Sequence, residues 1–211
     1  QRFFQRMTLP PSERYISAMR WLSARQCKEL LTTEALRSIQ GNETAYMETY
    51  WEKGKDLDLL SRIQYVDGMS YLPEDILVKV DRTSMWNSLE VRCPLLDYRF
   101  MELMASVPPY LRLNHGRGKY IFKKALRGFL PDTILDRPKQ GFNMPLRQWF
   151  RGDLCNFAAE ILLDKKTLGR GIWQPKALRG IIDKNRSGIG VFDSVIWVLL
   201  VQELWWRTFL D

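Results

Sequence analysis

Alternating apolar and polar residues, the pattern of a half-buried strand, are scarce in this chain, and that scarcity points to a mainly helical fold. One short run, LEVRC at residues 89–93, does alternate: Leu89, Val91 and Cys93 are apolar, Glu90 and Arg92 are polar, and Pro94 ends it. In an extended backbone the Glu90 and Arg92 side chains share a face. Helix starts recur instead. Pro11, Ser12 and Glu13 precede the apolar positions Ile16, Met19 and Leu22. Residues 23–39 carry one or two short helices, and residues 43–69 two more, broken at Gly54. Pro73, Glu74 and Asp75 open a helix whose Ile76, Leu77 and Val80 line one face. Asp97 is placed to N-cap YRFMELMASV, which Pro108 and Pro109 stop. GRGKYIFKKALRGFL is predicted as a further helix with Tyr120, Ile121, Ala125, Leu126 and Phe129 facing inward. Helices are also expected at 145–163, 174–184 and 193–209, with residues 163–175 as a flexible connection.

With 211 residues, 45% of them hydrophobic and 27% charged, the chain can bury a core without disulfide support. Its three cysteines are far apart and form no CxxC pair, which argues against a disulfide framework or a zinc site and suits a reducing cytoplasm. The single histidine, His115, lies in a polar LNHGRG turn, so histidine-based nucleophilic catalysis has one poor candidate. A net charge of +8 favours an anionic partner: nucleotide, nucleic acid or membrane surface. The longest apolar run, VIWVLLV at 195–201, is too short to span a bilayer. Because the sequence opens with Gln1 and its first methionine is Met7, it is expected to be a piece of a longer polypeptide.

Two lysines stand out by their backbone context. Lys119 follows Gly116 and Gly118 at the start of its helix, where the positive end of the macrodipole disfavours a cation by roughly 0.3 to 1 kcal/mol. A bound phosphate would reverse that penalty, since glycine lets backbone N–H groups approach an anion. Lys139 sits on DRPKQGFNMPL between Pro138 and Gly141, a bend that can be neither an uninterrupted helix nor a central strand. Both lysines could instead be solvated side chains. Glu90 and Arg92 could form an exposed salt pair, or Glu90 could bind or deprotonate an amine nucleophile. Asp75 and Asp81 could complete a magnesium site with substrate phosphate oxygens, or serve as a first-turn acid and a solvated helix residue.

In order along the chain, YLPEDILVKVDRTSMWNSLEVRCPLLDYRF and GRGKYIFKKALRGFLPDTILDRPKQGF closely resemble the C-terminal synthetase domain of glutamine-hydrolysing asparagine synthetases. The likeness is strong from about residue 65 to 155. It implies the helical C-terminal half of an α/β ATP-pyrophosphatase domain, with little or no sheet in this stretch. It divides the chain into a helical lead-in at 1–64, an ATP and substrate region at 65–155, and C-terminal helices at 156–211. The activity it implies is ATP-dependent: aspartate is activated as β-aspartyl-AMP and attacked by ammonia from glutamine. ATP and magnesium are the implied cofactors. Lys139 matches the catalytic lysine of that family, Lys119 a second phosphate-binding lysine, and Glu90 the acidic residue that handles ammonia and the tetrahedral intermediate. Gly118 and Gly141 accompany the two lysines at the phosphates, Arg92 and Asp97 support the substrate site, and Asp75 and Asp81 are the candidate metal ligands.

The nucleotide loop Ser-Gly-Gly-x-Asp-Ser and the glutaminase domain of that family are absent from these 211 residues and are expected upstream. The piece is therefore expected to be inactive alone, with those upstream segments as partners and a homodimer left open. A cytoplasmic location follows from the resemblance, with neither membrane nor nucleic acid as a partner. Cys93 and Leu95 stand where many relatives carry serine or valine, and phenylalanine. Two alternatives stay open: a related amidotransferase or β-lactam-type synthetase with another acceptor, and a basic helical module that binds nucleic acid.

Overall fold

The computed structural model describes residues 8–39, 44–138, 140–141 and 144–211, and the chain forms two compact units, one of residues 1–44 with 142–211 and the other of residues 45–141. The first unit begins with α1 (Pro11–Met19), where proline occupies the first turn and Ile16 is buried. Then comes α2 (Ala24–Leu30), started by a reciprocal cap. Ser23 Oγ accepts from the Gln26 N–H, and Gln26 Oε1 accepts from the Ser23 N–H. A third short helix, α3 (Thr33–Ile39), follows.

The second unit opens with α4 (Ala45–Lys53) and α5 (Leu59–Met69), separated around Gly54 as the sequence predicts. Trp51 and Val66 are buried between them, and Arg62 both stacks on the Trp51 ring at 4.5 Å and donates to its carbonyl at 2.7 Å. A π-helical turn, Leu72–Leu77, runs into α6 (Val78–Trp86), and Ile76, Leu77 and Val80 are half-buried along one face. Residues 89–93 are neither helix nor strand. A 3-10 turn (Pro94–Leu96) leads to α7 (Tyr98–Ser106), which ends where Val107, ahead of Pro108, becomes extended. Next are α8 (Pro109–Arg112), β1 (Leu113–Asn114), β2 (Arg117–Gly118), α9 (Tyr120–Ala125) and α10 (Asp132–Leu135). The two strands pair antiparallel, Leu113 with Gly118 and Asn114 with Arg117. This ribbon is the sheet seen among the described residues, in keeping with a mainly α chain.

The predicted helix from 117 onward is shorter than expected. Arg117 and Gly118 are spent on the ribbon, and α9 stops at Ala125 because Gly128, at φ +87°, reverses the chain. Phe129 is consequently 84% exposed instead of facing a core.

The chain returns to the first unit with α11 (Leu146–Trp149), α12 (Asp153–Leu162), α13 (Lys165–Gly169), α14 (Pro175–Arg186) and α15 (Asp193–Phe209). Buried positions recur at helical spacing: Cys155, Ala158 and Leu162 on α12; Leu178, Ile181 and Ile182 on α14; Ile196, Leu199 and Leu200 on α15. These stripes meet to form the core, and each fully buried Leu or Ile contributes about 1.5 to 3 kcal/mol. Residues 163–175 are not a flexible connection. They carry α13 and are fastened to the α2–α3 junction: Leu31 bridges Trp173, the Thr32 N–H donates to Ile172 O at 2.8 Å, and the Gln174 N–H donates to Leu30 O at 2.7 Å.

The buried stripe of α15 also contains an acid. Glu203 is 0% exposed and accepts from Arg170 Nε at 2.9 Å, Arg170 Nη2 at 3.2 Å and Arg207 Nε at 2.9 Å. Arg170 also holds Asp211, and Arg207 reaches Asp164 at 2.6 Å. A carboxylate so fully desolvated persists because two guanidinium groups satisfy it. The Arg170 hydrogen bonds hold the Asp211 carboxyl down at about 2. No helix among the described residues is long and apolar enough to cross a membrane.

Candidate functional site

The candidate residues Asp75, Asp81, Glu90, Arg92, Asp97, Gly118, Lys119 and Gly141 all belong to the second unit. The ribbon positions Lys119. Its two connecting residues, His115 and Gly116, have φ of +45° and +77°, the positive pair that a two-residue hairpin turn of mirror-image type requires. Immediately after β2, Lys119 itself is left-handed, at φ +57° and ψ +33°, and from there α9 begins. That conformation costs a residue with a side chain roughly 1 to 2 kcal/mol. The Lys119 side chain is exposed and makes no ion pair among the described residues. A Cβ placed at Gly118 would meet nothing within 4 Å, so the backbone ahead of Lys119 faces open space. Lys119 thus combines a strained backbone, an exposed ammonium with no ion pair among the described residues, and an accessible glycine just ahead of it.

Glu90 and Arg92, two residues apart, are ion-paired with each other and both exposed, which brings their side chains together as the alternation predicts. Asp97 is the N-cap of α7, as expected: its Oδ1 accepts from the Arg99 N–H at 3.0 Å. The Arg99 guanidinium, at 3.2 Å, holds the Asp97 carboxyl below the usual carboxylate range. Asp75 pairs with Lys79 at 3.3 Å one helical turn on, and Asp81 is exposed in the first turn of α6. Among the described residues no group of three or more His, Cys, Asp or Glu side chains lies close enough to hold a metal ion. The carboxylates here do not form a metal cage by themselves, and an ion at Asp75 or Asp81 would depend on phosphate oxygens.

Lys139 lies outside the described residues. On either side of it, residues 136–138 and 140–141, including Gly141, are neither helix nor strand, in line with the predicted bend. The approach to that bend contains contacts that sequence spacing does not reveal. Arg127 holds Asp132 at 2.5 Å and Asp136 at 2.8 Å, five and nine residues ahead, separations outside the i+3 and i+4 pairings of a helix.

The asparagine synthase family profile matches residues 4–207, and the chain belongs to that family. Over 204 residues it is 30% identical to asparagine synthetase (glutamine-hydrolyzing) 1 of Bacillus subtilis (strain 168), an alignment covering 95% of this chain and 31% of that protein. Over 86 residues, 41% of this chain and 14% of the other, it is 37% identical to asparagine synthetase (glutamine-hydrolyzing) 3 of the same species. It is also similar to amidase chyE of Penicillium rubens, 28% identical over 132 residues, which is 59% of this chain and 20% of that protein. The chain thus spans about a third of the length of the relatives it matches end to end. No solved structure matches it significantly.

Proposed function

We propose that the chain contributes part of the adenylation site of an ATP-dependent ligase that forms asparagine from aspartate and glutamine-derived ammonia. The observation that carries the reading is Lys119: a left-handed lysine, without an ion pair among the described residues, at the exit of a glycine-bearing turn, inside a chain of the asparagine synthase family. A carboxylate does not react with ammonia until its oxygen becomes a leaving group. ATP supplies that by forming β-aspartyl-AMP and releasing pyrophosphate; ammonia then displaces AMP.

Within this scheme Lys119 and Lys139 bind the phosphates, and Lys139 also faces the charge that builds on pyrophosphate and on the acyl oxygen. Gly118 and Gly141 leave their backbone N–H groups approachable. Glu90, oriented by Arg92, receives the amine proton. Asp97 fixes the start of α7 and so supports the segment bearing Glu90 and Arg92. Magnesium would rest chiefly on the nucleotide, with Asp75 or Asp81 as protein ligands.

The second unit leaves large apolar side chains exposed, Trp86 at 90% and Leu89, Tyr98, Leu103 and Ile134 among them. In a chain spanning about a third of its relatives, such side chains suit cover by the remaining synthetase segments, which carry the nucleotide loop and the glutaminase. The piece alone is then inactive. In the full polypeptide, aspartate-dependent ATP–pyrophosphate exchange should be present, and Lys119→Ala or Lys139→Ala should lower it about 100- to 1000-fold. Undiminished exchange in both variants would remove the lysines from the mechanism. Because amidase chyE is also similar, exchange that responds to another carboxylic acid and not to aspartate would favour an amidotransferase with a different acceptor.

A further inference from the structure

Lys123 has no part in the assignments above, yet it stands one helical turn beyond Lys119. Its N–H donates to Lys119 O at 2.9 Å, so the two side chains leave the backbone one helical pitch, about 5.4 Å, apart. Lys119 and Lys124 are exposed, whereas Lys123 is half-buried. It takes part in no ion pair and no side-chain hydrogen bond among the described residues. Like charges one turn apart repel each other, and partial desolvation of an unpartnered ammonium adds to the penalty. The helix is not free to turn and relieve them, because the Phe122 ring packs edge-on against Phe100 of α7 at a centroid separation of 6.0 Å. An anion shared by the two lysines reverses the repulsion. A polyphosphate suits them best, since it carries charge on successive phosphoryl groups and offers each ammonium its own oxygens.

Resting on the adenylation reading above, we propose that Lys123 is a further phosphate-binding residue and forms, with Lys119, a two-lysine clamp on the part of ATP that leaves as pyrophosphate. It transfers no proton and forms no covalent bond. Its contribution is one more positioned charge against the anion released when β-aspartyl-AMP forms. Lys124, the next residue, points about 100° away around the helix and lies outside the clamp.

The test uses the full polypeptide with three variants. Lys123→Met keeps the apolar stem and removes the charge, Lys123→Arg keeps a charge, and Lys124→Met is the neighbouring control. Binding of inorganic pyrophosphate, followed by titration calorimetry, should weaken about tenfold in Lys123→Met, the loss of one charge-assisted contact. The loss should be under about threefold in Lys123→Arg and under about twofold in Lys124→Met, where only a distant exposed charge is removed. In aspartate-dependent ATP–pyrophosphate exchange, the KM for pyrophosphate should follow the same order. Without ligand, the thermal midpoint of Lys123→Met should not fall, because a repulsion is relieved. Pyrophosphate binding unchanged in Lys123→Met, or weakened equally in Lys124→Met, would overturn the clamp. A lowered midpoint in Lys123→Met would overturn it too, by showing the ammonium to be satisfied within the fold. Pyrophosphate binding that responds as expected, in a full polypeptide without aspartate-dependent exchange, would sink the adenylation reading and support the clamp.

Discussion

Replacing Glu203 by alanine removes the acid at the centre of the α15 network. The side chain is 0% exposed and receives three hydrogen bonds from Arg170 and Arg207, whose own side chains are 16% and 21% exposed. Breaking a buried pair by deleting one partner costs about 3 to 5 kcal/mol. Here Arg170 keeps Asp211 and Arg207 keeps Asp164, so the lower end, about 3 kcal/mol, is expected. For a protein of this size each kcal/mol moves the thermal midpoint by about 2 to 4 °C, giving a drop of about 6 to 12 °C. The comparison is Glu29→Ala, which breaks the exposed Arg25–Glu29 pair and should cost under about 0.5 kcal/mol. Urea unfolding of both variants, with calorimetry alongside, measures the difference. Equal midpoints for the two would refute the energetic role given to the buried network.

The same network fixes a pH dependence. Burial pushes the Glu203 carboxyl up and is the largest single influence, but the Arg170 and Arg207 hydrogen bonds, the Arg170 charge and the Thr167 hydroxyl together leave it below its ordinary value. Asp164 is lowered by Arg207, and Asp211 to about 2 by Arg170. Groups depressed in the folded state stabilise it above their unfolded pKa and lose that contribution as pH falls. Thermal midpoints should therefore decline steadily from about pH 5 toward pH 2, a slope that Glu203→Ala should flatten. Lys119→Gly relieves the left-handed strain and should raise stability by roughly 0.5 to 1 kcal/mol while lowering pyrophosphate exchange; a gain in neither stability nor strain-sensitive unfolding rate would count against a strained lysine. Arg112, 8% exposed, donates to Gln64 and Ser61 and so ties α8 to α5 just ahead of the ribbon. Arg112→Met should cost about 2 to 3 kcal/mol in denaturant unfolding, and a loss under about 0.5 kcal/mol would show the tie to be dispensable.

Where local chemistry decides structure, the sequence was readable. Proline in a first turn and aspartate at an N-cap act over a few residues, so the starts of α1 and α7 and the half-buried face of Ile76, Leu77 and Val80 follow from spacing. The Glu90–Arg92 pairing follows from their two-residue spacing in the alternating run. What could not be read depends on distant partners or on dihedral signs. The LNHGRG turn was recognisable as polar, but the ribbon that uses it takes positive φ at His115, Gly116 and Lys119, and only one of these is a glycine. Residues 163–175 look like a linker because Gly169, Gly171 and Pro175 dominate local propensity, whereas the hydrogen bonds that fasten them come from residues about 140 positions away. Arg170 and Glu203 lie 33 residues apart, and nothing local announces their pairing. Of the candidate site, Lys119 gained a geometry that its motif alone did not supply.

The central claim is that Lys119 and Lys139, twenty residues apart in sequence, converge on one nucleotide. A crystal structure of the full polypeptide with a non-hydrolysable ATP analogue measures this directly. Both ammonium nitrogens should lie about 3 Å from phosphate oxygens of the same molecule. Finding either one pointing into bulk water, with the phosphates held by other groups, would contradict the account.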